Sequence, residues 1–471
     1  MGKEASRQGL RSINMITDLK NKTVLVFGSG KSGIAAAALL EKIGAGVILY
    51  DGNEKLNPEE IKERISSEAG IESRTEVILG EYPDDRIKEL SLVVLSPGIP
   101  TDLPIVKKFR ENGIEITGEI ELAYRAGKGI VYAITGTNGK TTSTTLLGEI
   151  MKAANPEVYV VGNIGNPYTQ CALDQSETAV TVAEISSFQL ETISTFRPHA
   201  AAITNITPDH LNRHHSMEEY IRVKKLINMN QTKDDAIILN YEDELLREFG
   251  KEANGQVIFF SSLRELEDGL YYKDGSIFVA KGGNKTELVK TNELQLLGLH
   301  NFENIMTAAA IALFAGVDIE TVRQVIKDFK GVEHRIEFVC EKNGVRYYND
   351  SKGTNPDAAI KAIQAMNRPT LLIGGGYDKE SSYEEWINSF DGKVKKLALI
   401  GQTKEKIADA ARRCGFPSED IIMCEDLKEA VEVCVSNASD GDAVLLSPAC
   451  ASWGQFDNYE QRGRMFKEYV R

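Results

Sequence analysis

The chain has 471 residues, of which 42% are hydrophobic, so it can form about three globular domains with a core each. Its 55 Lys+Arg and 69 Asp+Glu residues give a formal net charge of −14, which argues against nucleic acid and anionic membranes as partners. The six cysteines form no CxxC pair and favour reduced thiols in a cytoplasmic protein over a disulfide framework or a zinc site. No apolar stretch reaches the roughly 20 residues that cross a bilayer, and the amino-terminal sequence "MGKEASRQGL" does not resemble a signal peptide.

Strand-like and helix-like runs alternate through most of the chain, which predicts an α/β fold with parallel sheets. The texture of the sequence changes twice, and we therefore divide it into residues 1–118, 119–331 and 332–471. The first and third segments are predicted to be Rossmann-like domains, and the central segment a P-loop-type ATPase domain with a mostly parallel sheet. The absence of a sustained heptad or a short internal repeat argues against a coiled coil or a solenoid.

The first segment contains a dinucleotide-type fingerprint. The run "KTVLVFGSGKSGIAAAALLEKIGAGVILYD" predicts a strand, a glycine turn, a helix and a second strand that ends at Asp51. The turn satisfies GxGxxG at Gly28, Gly30 and Gly33, and Asp51 follows roughly 20 residues later, as such sites require. A glycine turn that only lets the helix pack close to the sheet is the alternative interpretation. A further strand end, "LVVLSPGIP", adds ligand-binding candidates at residues 96–98.

The central segment carries "ITGTNGKTTST" after the predicted strand "GIVYAIT", and this stretch resembles a phosphate-binding loop. Ile134 stands where the usual loop has its first glycine. Gly136 and Gly139 can still turn backbone amides inward, the following helix offers its positive amino end, and Lys140 adds a point charge. Thr141 supplies a hydroxyl that can bind the Mg²⁺ of a nucleotide. The alternative is a glycine turn with a surface lysine.

Further strands of the central segment are predicted at "TAVTVAEIS", "AAITNIT" and "AIILN". Glu184 ends the first of these, where a carboxylate can bind Mg²⁺ held by the phosphate loop, although a lone glutamate is often a surface group. His210 follows the second, and its segment has three histidines without zinc-site spacing, so a helix cap is the alternative. Lys224 and Lys225 would ordinarily lie on a solvated helix face.

Taken together, these residues resemble the Mur ligase family, the ATP-dependent ligases that form amide bonds in peptidoglycan precursor synthesis. The resemblance covers nearly the whole chain, and the loop without its first glycine is this family's form of the loop. Its motifs here are "TGTNGKTT", "GNIG", "EISSFQLE", "NITPDHLNRH", "LHNFEN", "HR" at 334–335 and "NDSKGTNPDA". Residues 447–463, "SPACASWGQFDNYEQRG", are similar to the branch that adds D-glutamate to UDP-N-acetylmuramoyl-L-alanine, except for Gly454, where an acidic residue is common.

The resemblance implies sites for both nucleotides. It assigns the first domain to the UDP part of the substrate rather than to NAD, with Ser32, Asp51, Ser96, Pro97, Gly98, Asn163 and His210 as binding residues. For ATP it implies Gly136, Thr137, Asn138, Gly139, Lys140, Thr141, Thr142, Asn301, Asn304, Arg335 and Asp350. Two Mg²⁺ ions are implied, with Thr141, Glu184, His210 and Lys224 as ligands, the lysine as a carbamate.

The resemblance also implies the amino-acid site and the catalytic groups. D-glutamate would be bound by Lys352, Thr354, Lys379, Ser452, Trp453 and Tyr459. The catalytic residues would be Lys140, Glu184, His210, Lys224, Arg335 and Lys352. The reaction implied is phosphorylation of the substrate carboxylate by ATP, followed by attack of the D-glutamate amine on the acyl phosphate.

Three alternatives remain at this point. The first is a sister Mur ligase or a folylpolyglutamate synthetase-type ligase that adds another amino acid. The second is an NAD-dependent dehydrogenase built on the GxGxxG turn, which leaves the central loop unexplained. The third is a non-enzymatic nucleotide switch. We expect a cytoplasmic monomer that binds small molecules and neither nucleic acid nor membranes.

Overall fold

The computed structural model describes residues 18–471, so the amino-terminal stretch "MGKEASRQGL" lies outside the described residues. The first sheet forms the Rossmann-like amino-terminal part of the structure. Its five parallel strands have the order β3-β2-β1-β4-β5. They are β1 (Thr23–Phe27), β2 (Gly46–Asp51), β3 (Glu76–Leu79), β4 (Leu92–Leu95) and β5 (Glu115–Gly118). The helices are α1 (Lys31–Ile43), α2 (Pro58–Ala69), α3 (Pro104–Glu111) and α4 (Glu119–Ala126). Parallel strands end at one edge of a sheet, which brings the glycine turn after β1 beside the loop after β4.

The central sheet has nine strands in the order β14-β13-β12-β11-β10-β9-β6-β8-β7. The pairs from β7 to β12 are parallel, whereas β12 and β13 are antiparallel. The strands are β6 (Ile130–Thr135), β7 (Val158–Gly162), β8 (Val180–Glu184), β9 (Ala200–Ile203), β10 (Ala236–Asn240), β11 (Gln256–Ser261), β12 (Gly269–Lys273), β13 (Ser276–Lys281) and β14 (Asn284–Lys290). The helices are α5 (Lys140–Ala154), α6 (Ser187–Leu190), α7 (Leu211–His214), α8 (Met217–Lys225), α9 (Glu244–Phe249), α10 (Leu299–Phe314) and α11 (Ile319–Asp328).

The third sheet has the order β15-β16-β20-β17-β18-β19 and is parallel except for the β15–β16 pair. Its strands are β15 (Glu337–Lys342), β16 (Val345–Asn349), β17 (Thr370–Gly375), β18 (Val394–Ile400), β19 (Ile421–Met423) and β20 (Ala443–Leu446). Its helices are α12 (Pro356–Ala365), α13 (Glu384–Asn388), α14 (Lys404–Arg413), α15 (Leu427–Asn437) and α16 (Tyr459–Val470). Strands β16, β20 and β17 are parallel neighbours, so the loops that follow them share one edge of the sheet.

Apolar side chains cover both faces of the terminal sheets, which is why their strands read as nearly continuous hydrophobic runs. Strand β1, "TVLVF", sends Val24 and Val26 into one core and Leu25 and Phe27 into another. In the third sheet, Trp386 lies in the core on one face and Phe466 in the core on the other. Within residues 18–471, every helix is too short or too polar to cross a lipid bilayer.

The chain forms two compact units. One contains residues 18–288 together with Glu303–Val325, and the other contains Val289–Phe302 and Ile326–Arg471. The three mostly parallel sheets confirm the predicted α/β fold with Rossmann-like terminal domains. The domain boundaries after residues 118 and 331 stay predictions. All the strands predicted in the central segment are present, but β7 and β11–β14 were not predicted. Strand β14, "NKTELVK", lacks an apolar run, whereas β7, "VYVVG", and β11, "QVIFFS", contain short apolar runs that the prediction overlooked.

Candidate active site

The phosphate-loop candidate joins β6 to α5 and requires both of its glycines. Gly136 has φ 143° and Gly139 has φ 85°, conformations that side chains with a Cβ rarely adopt. A Cβ at Gly136 would lie 1.9 Å from Thr204 Oγ1, and one at Gly139 would lie 2.2 Å from Asn304 Oδ1. The loop is therefore tightly enclosed by the residue that follows β9 and by helix α10, which carries the predicted ATP-binding residue Asn304.

Hydrogen bonds from the end of β9 fix the same loop. The Asn138 amide donates to Asn205 Oδ1 at 2.9 Å, and the Thr204 hydroxyl donates to the Asn138 carbonyl at 2.6 Å. The Thr137 amide donates to the Asn205 carbonyl at 2.9 Å. Asn205 lies in the motif "NITPDHLNRH", whose sequence does not indicate its role, and the structure shows that it shapes the loop. Because these hydrogen bonds already order the loop, little conformational entropy would be lost when it binds phosphate.

Two lysine amines converge on one carbonyl of the loop. Lys140 Nζ donates to the carbonyls of Gly136 and Thr137 at 2.8 and 2.9 Å. Lys224 Nζ donates to the same Gly136 carbonyl at 2.8 Å. The two predicted catalytic lysines are thus brought together at the phosphate loop, although 84 positions separate them in sequence.

The structure distinguishes Lys224 from its neighbour Lys225. Lys224 is 1% exposed, and its amine lies 4.8 Å from the centre of the Tyr220 ring. Burial, and then the positive charge of Lys140, lower the pKa of Lys224 to about 7. Lys225 instead pairs with Glu252 at 3.1 Å on the partly exposed side of α8. Of the two, only Lys224 donates to the loop, and the lowered pKa favours its uncharged, nucleophilic form more than that of an ordinary lysine.

Glu184 ends β8 beside the strand that leads into the loop. In the β6–β8 ladder it pairs with Ile134, and its side chain is 1% exposed. Its Oε1 accepts a hydrogen bond from Asn163 Nδ2 at 2.7 Å, whereas its buried Oε2 has no hydrogen-bond partner among residues 18–471. A buried carboxylate oxygen without a donor is costly unless it binds a cation. This geometry fits a metal ligand and also joins two predicted site residues, Glu184 and Asn163.

The three neighbouring histidines differ in accessibility. His210 precedes α7 in a left-handed conformation, and its side chain is 50% exposed with Asp209 at 3.4 Å. His214 is buried, with Nε2 3.0 Å from the Ser187 hydroxyl. His215 faces Asp102 at 3.3 Å. His210 and His215, whose side chain is 72% exposed, can each offer a ring to a ligand without breaking internal packing, whereas the buried His214 cannot.

The first-domain candidates lie around the glycine turn after β1. The Ser29 amide and hydroxyl donate to Asp51 Oδ2 at 2.9 and 2.7 Å. Burial tends to raise the pKa of Asp51, but these hydrogen bonds outweigh it and lower the pKa below the ordinary value. A Cβ at Gly33 would lie 1.8 Å from the Gly28 carbonyl, so close packing of helix and strand, the alternative interpretation, also applies.

The other UDP-site candidates share this edge of the sheet. The Ser96 hydroxyl donates to the Gly28 carbonyl at 3.2 Å, which ties the loop after β4 to the glycine turn. Ser32 lies on the first turn of α1, and Pro97 and Gly98 follow Ser96. Sequence reasoning missed Lys31, whose amine donates to the carbonyl of Gly165 in the "GNIG" loop of the central sheet. This contact brings the first domain to the loop that contains Asn163.

The amino-acid candidates lie on the strand-end loops of the third sheet, except for Tyr459, which begins α16. Lys352 Nζ lies 5.4 Å from the centre of the Tyr459 ring, and Lys379 Nζ lies 5.3 Å from the centre of the Trp453 ring. Trp453 is 56% exposed, so an aromatic surface is available beside the Lys379 amine. The remaining two candidates of this set are Thr354, whose amide donates to the Lys352 carbonyl, and the buried Ser452.

The remaining ATP candidates differ in their surroundings. Asp350 is 6% exposed and accepts from the Ser447 hydroxyl at 2.7 Å, and burial raises the pKa of Asp350 to about 7. Arg335 is exposed. The Asn301 side-chain amide donates to the Leu297 carbonyl at 2.7 Å. Thr142 is buried, whereas the neighbouring Thr141 is partly exposed. Asn301, Arg335 and Asp350 belong to the unit that contains Ile326–Arg471, whereas Thr141 and Thr142 belong to the other unit.

Family models match most of the chain. A "Mur ligase MurD-like, N-terminal domain" matches residues 22–118, a "Mur ligase middle domain" matches 134–312, and a "Mur ligase, glutamate ligase domain" matches 334–450. Among solved structures, MurF from Acinetobacter baumannii aligns with a TM-score of 0.60 at 18% identity over 97% of this chain and 98% of its own. A MurF ligase from Thermotoga maritima in complex with ADP has a TM-score of 0.56 at 17% identity, over 97% and 96%. At these identities the structures show a shared fold.

Curated relatives are much more similar. A protein named "UDP-N-acetylmuramoylalanine--D-glutamate ligase" from Lachnoclostridium phytofermentans is 54% identical over 95% of this chain and 98% of its own length. A protein of the same name from Lachnospira eligens is 52% identical over 96% and 99%. Since the match extends through all three sheets and the sites described above, the chain belongs to the Mur ligase family.

Proposed function

We propose that this protein is an ATP-dependent ligase that joins D-glutamate to UDP-N-acetylmuramoyl-L-alanine and releases ADP and phosphate. The identity of 54% to a ligase named for this reaction, over 95% of the chain, carries the proposal. The preformed phosphate loop with its two convergent lysines supports the ATP-dependent part. A dehydrogenase is not favoured, because the chain belongs to a ligase family and its GxGxxG turn lies within residues 22–118, which match that family's MurD-like amino-terminal domain.

The reaction proceeds in two steps. A carboxylate oxygen of the L-alanyl group attacks the γ-phosphorus of ATP, the bond to ADP breaks, and an acyl phosphate forms. The amine nitrogen of D-glutamate then attacks the acyl carbon, phosphate leaves, and the nitrogen loses a proton to give the amide. The first step brings two anions together, so it requires positive charge at the loop. Lys140 supplies that charge when phosphate displaces its amine from the loop carbonyls.

The residues present fit Mg²⁺ at the loop. The free Oε2 of Glu184 and the Thr141 hydroxyl are hard oxygen donors of the type that Mg²⁺ prefers. His210 and a carbamate on Lys224 would hold a second ion, and the lowered pKa of Lys224 supports this because only a neutral amine reacts with CO₂. Bound Mg²⁺ would neutralise phosphate charge. Four further residues are proposed to bind ATP, as the sequence predicts: Arg335, Asn301, Asn304 and Asp350.

The amino-acid site would use fixed cations to select a dicarboxylate. Lys352 and Lys379 supply two positive charges, and each is placed beside an aromatic ring that restricts its amine. Thr354 and Ser452 add hydroxyl donors. The UDP part of the other substrate would lie at the glycine turn, near Ser32, Asp51 and residues 96–98, with Asn163 and His210 toward its diphosphate and sugar. We further propose that the protein acts as a cytoplasmic monomer.

Phosphate release tests the proposal. The full-length protein is assayed with ATP, Mg²⁺ and UDP-N-acetylmuramoyl-L-alanine, and D-glutamate is compared with L-glutamate, lysine and D-alanine. Release that depends on D-glutamate, with an amide product of the matching mass, supports the assignment. Release with another amine and none with D-glutamate contradicts it and favours a sister ligase. Nucleotide binding without any amide product would indicate a switch protein.

A further inference from the structure

The buried guanidinium of Arg462 lies beneath the amino-acid loops. Arg462 is on α16 and is 0% exposed. Its Nε donates to Ser351 Oγ at 3.0 Å and its Nη2 to the Ser351 carbonyl at 2.8 Å. Both Nη1 and Nη2 donate to the Cys450 carbonyl at 3.2 Å. A single side chain therefore holds the loop after β16 and the loop after β20, and its acceptors are backbone carbonyls and a hydroxyl rather than a carboxylate.

A third strand-end loop lies against the same group. A Cβ at Gly376, which follows β17, would be 3.4 Å from Arg462 Nη1. The three loops carry amino-acid candidates: Lys352 is next to Ser351, Lys379 is three positions after Gly376, and Ser452 is two positions after Cys450. Arg462 itself is screened from the surface by these loops, so its effect on a substrate must pass through them.

Only arginine has the chemistry for this position. Its planar group offers five N–H donors in a fixed fork, which lets one residue bind two separate carbonyls and a hydroxyl at once. A lysine offers a point charge with three donors and cannot span the same acceptors with the same geometry. A buried charge is expensive unless its hydrogen bonds are made, so a protein that needed only packing here would be served better by an apolar residue.

We propose that Arg462 is a positioning residue for the amino-acid substrate, fixing the loops of Ser351 and Cys450 so that Lys352 and Ser452 hold the orientation that binds its carboxylates. The inference rests on the proposed function and deepens it, since it names a residue that sets the affinity for D-glutamate from outside the site. A purely structural role would lower the amount of folded protein and would affect all three substrates alike.

The test compares Arg462→Met and Arg462→Lys with Arg464→Met, an exposed arginine on the same helix, in the full-length enzyme. Steady-state phosphate release gives kcat and the KM for each substrate, and circular dichroism and thermal unfolding report folding. We expect Arg462→Met to raise the KM for D-glutamate at least about tenfold while the KM for ATP changes less than about twofold. Arg462→Lys should be intermediate, and Arg464→Met should match the wild type.

Three results would overturn the inference. They are equal changes in the KM for ATP and D-glutamate, kinetics of Arg462→Met that match those of Arg464→Met, and failure of both Arg462 variants to fold while Arg464→Met folds. If the wild-type enzyme uses another amino acid and not D-glutamate, the proposed function fails. The ratio of KM values for the amino acid that is used then still decides the role of Arg462.

Discussion

Lys224 provides the most direct quantitative test of the central site. Burial, and then the positive charge of Lys140, lower the pKa of Lys224 from 10.5 to about 7. A fall of this size corresponds to roughly 5 kcal/mol in favour of the neutral amine. At pH 7 about half of the Lys224 side chains should be neutral, compared with roughly one in 3,000 for a lysine in water. This neutral fraction is what makes a carbamate at Lys224 chemically accessible.

The Lys140→Met substitution separates the two causes. It removes the neighbouring charge and leaves the burial of Lys224, so the pKa of Lys224 should rise but stay well below 10.5, because burial is the larger cause. The measurement is the pH dependence of ¹³Cε lysine signals by NMR in CO₂-free buffer. The signal of Lys224 is identified by its loss in Lys224→Met. Lys225→Met, which changes the partly exposed neighbour, is the matched control and should leave that signal in place.

A Lys224 signal that titrates above about pH 9.5 in the wild type would refute this reasoning, as would a lower pKa in Lys140→Met. The same shift affects stability. Lys224 titrates near 10.5 when unfolded and near 7 when folded, so the unfolded chain binds more protons between these values. The free energy of unfolding therefore gains a contribution that increases with pH across this window. Lys224→Met should lack that increase.

Further predictions concern the metal ligand, the loop and a buried carboxyl. Glu184→Gln should lower kcat/KM at least about 100-fold and raise the Mg²⁺ concentration needed for half-maximal phosphate release, because an amide is a poor Mg²⁺ ligand; an unchanged Mg²⁺ titration would contradict the assignment. Gly136→Ala should weaken ATP binding and lower the thermal midpoint by calorimetry, since its Cβ would meet Thr204 Oγ1 at 1.9 Å, whereas Gly165→Ala, with nothing within 4 Å, should have a smaller effect. Burial raises the pKa of Glu119 from 4.5 to about 7, so the folded state binds more protons than the unfolded chain between these pH values. The free energy of unfolding should therefore fall by up to about 3 kcal/mol as the pH rises from 4.5 to 7. Glu119→Gln should flatten this dependence in pH-dependent thermal unfolding, and an equal slope in both proteins would contradict it.

Local sequence was enough to predict the fold class and the position of the phosphate loop. The order of strand, "TGTNGKTT" and helix depends on short-range rules, because glycines permit the turn and an apolar run forms a buried strand. The same rules predicted β6, β8, β9 and β10. They missed β7 and β11–β14. Strand β14, "NKTELVK", is mostly polar and gives no strong strand signal, so its neighbour in the sheet determines its structure, whereas β7 and β11 contain short apolar runs that were overlooked.

The sequence by itself determined which residue types and motifs stand at the strand ends of this protein. Only the tertiary structure decided which of two adjacent lysines is buried, since Lys224 reaches the distant Gly136 carbonyl and its pKa is lowered by burial and then by the charge of Lys140. It also decided that one oxygen of Glu184 lacks a donor and that Arg462 holds the loops of the third sheet. Burial, desolvation and hydrogen-bond satisfaction are set by groups far apart in the chain, and no local pattern encodes them.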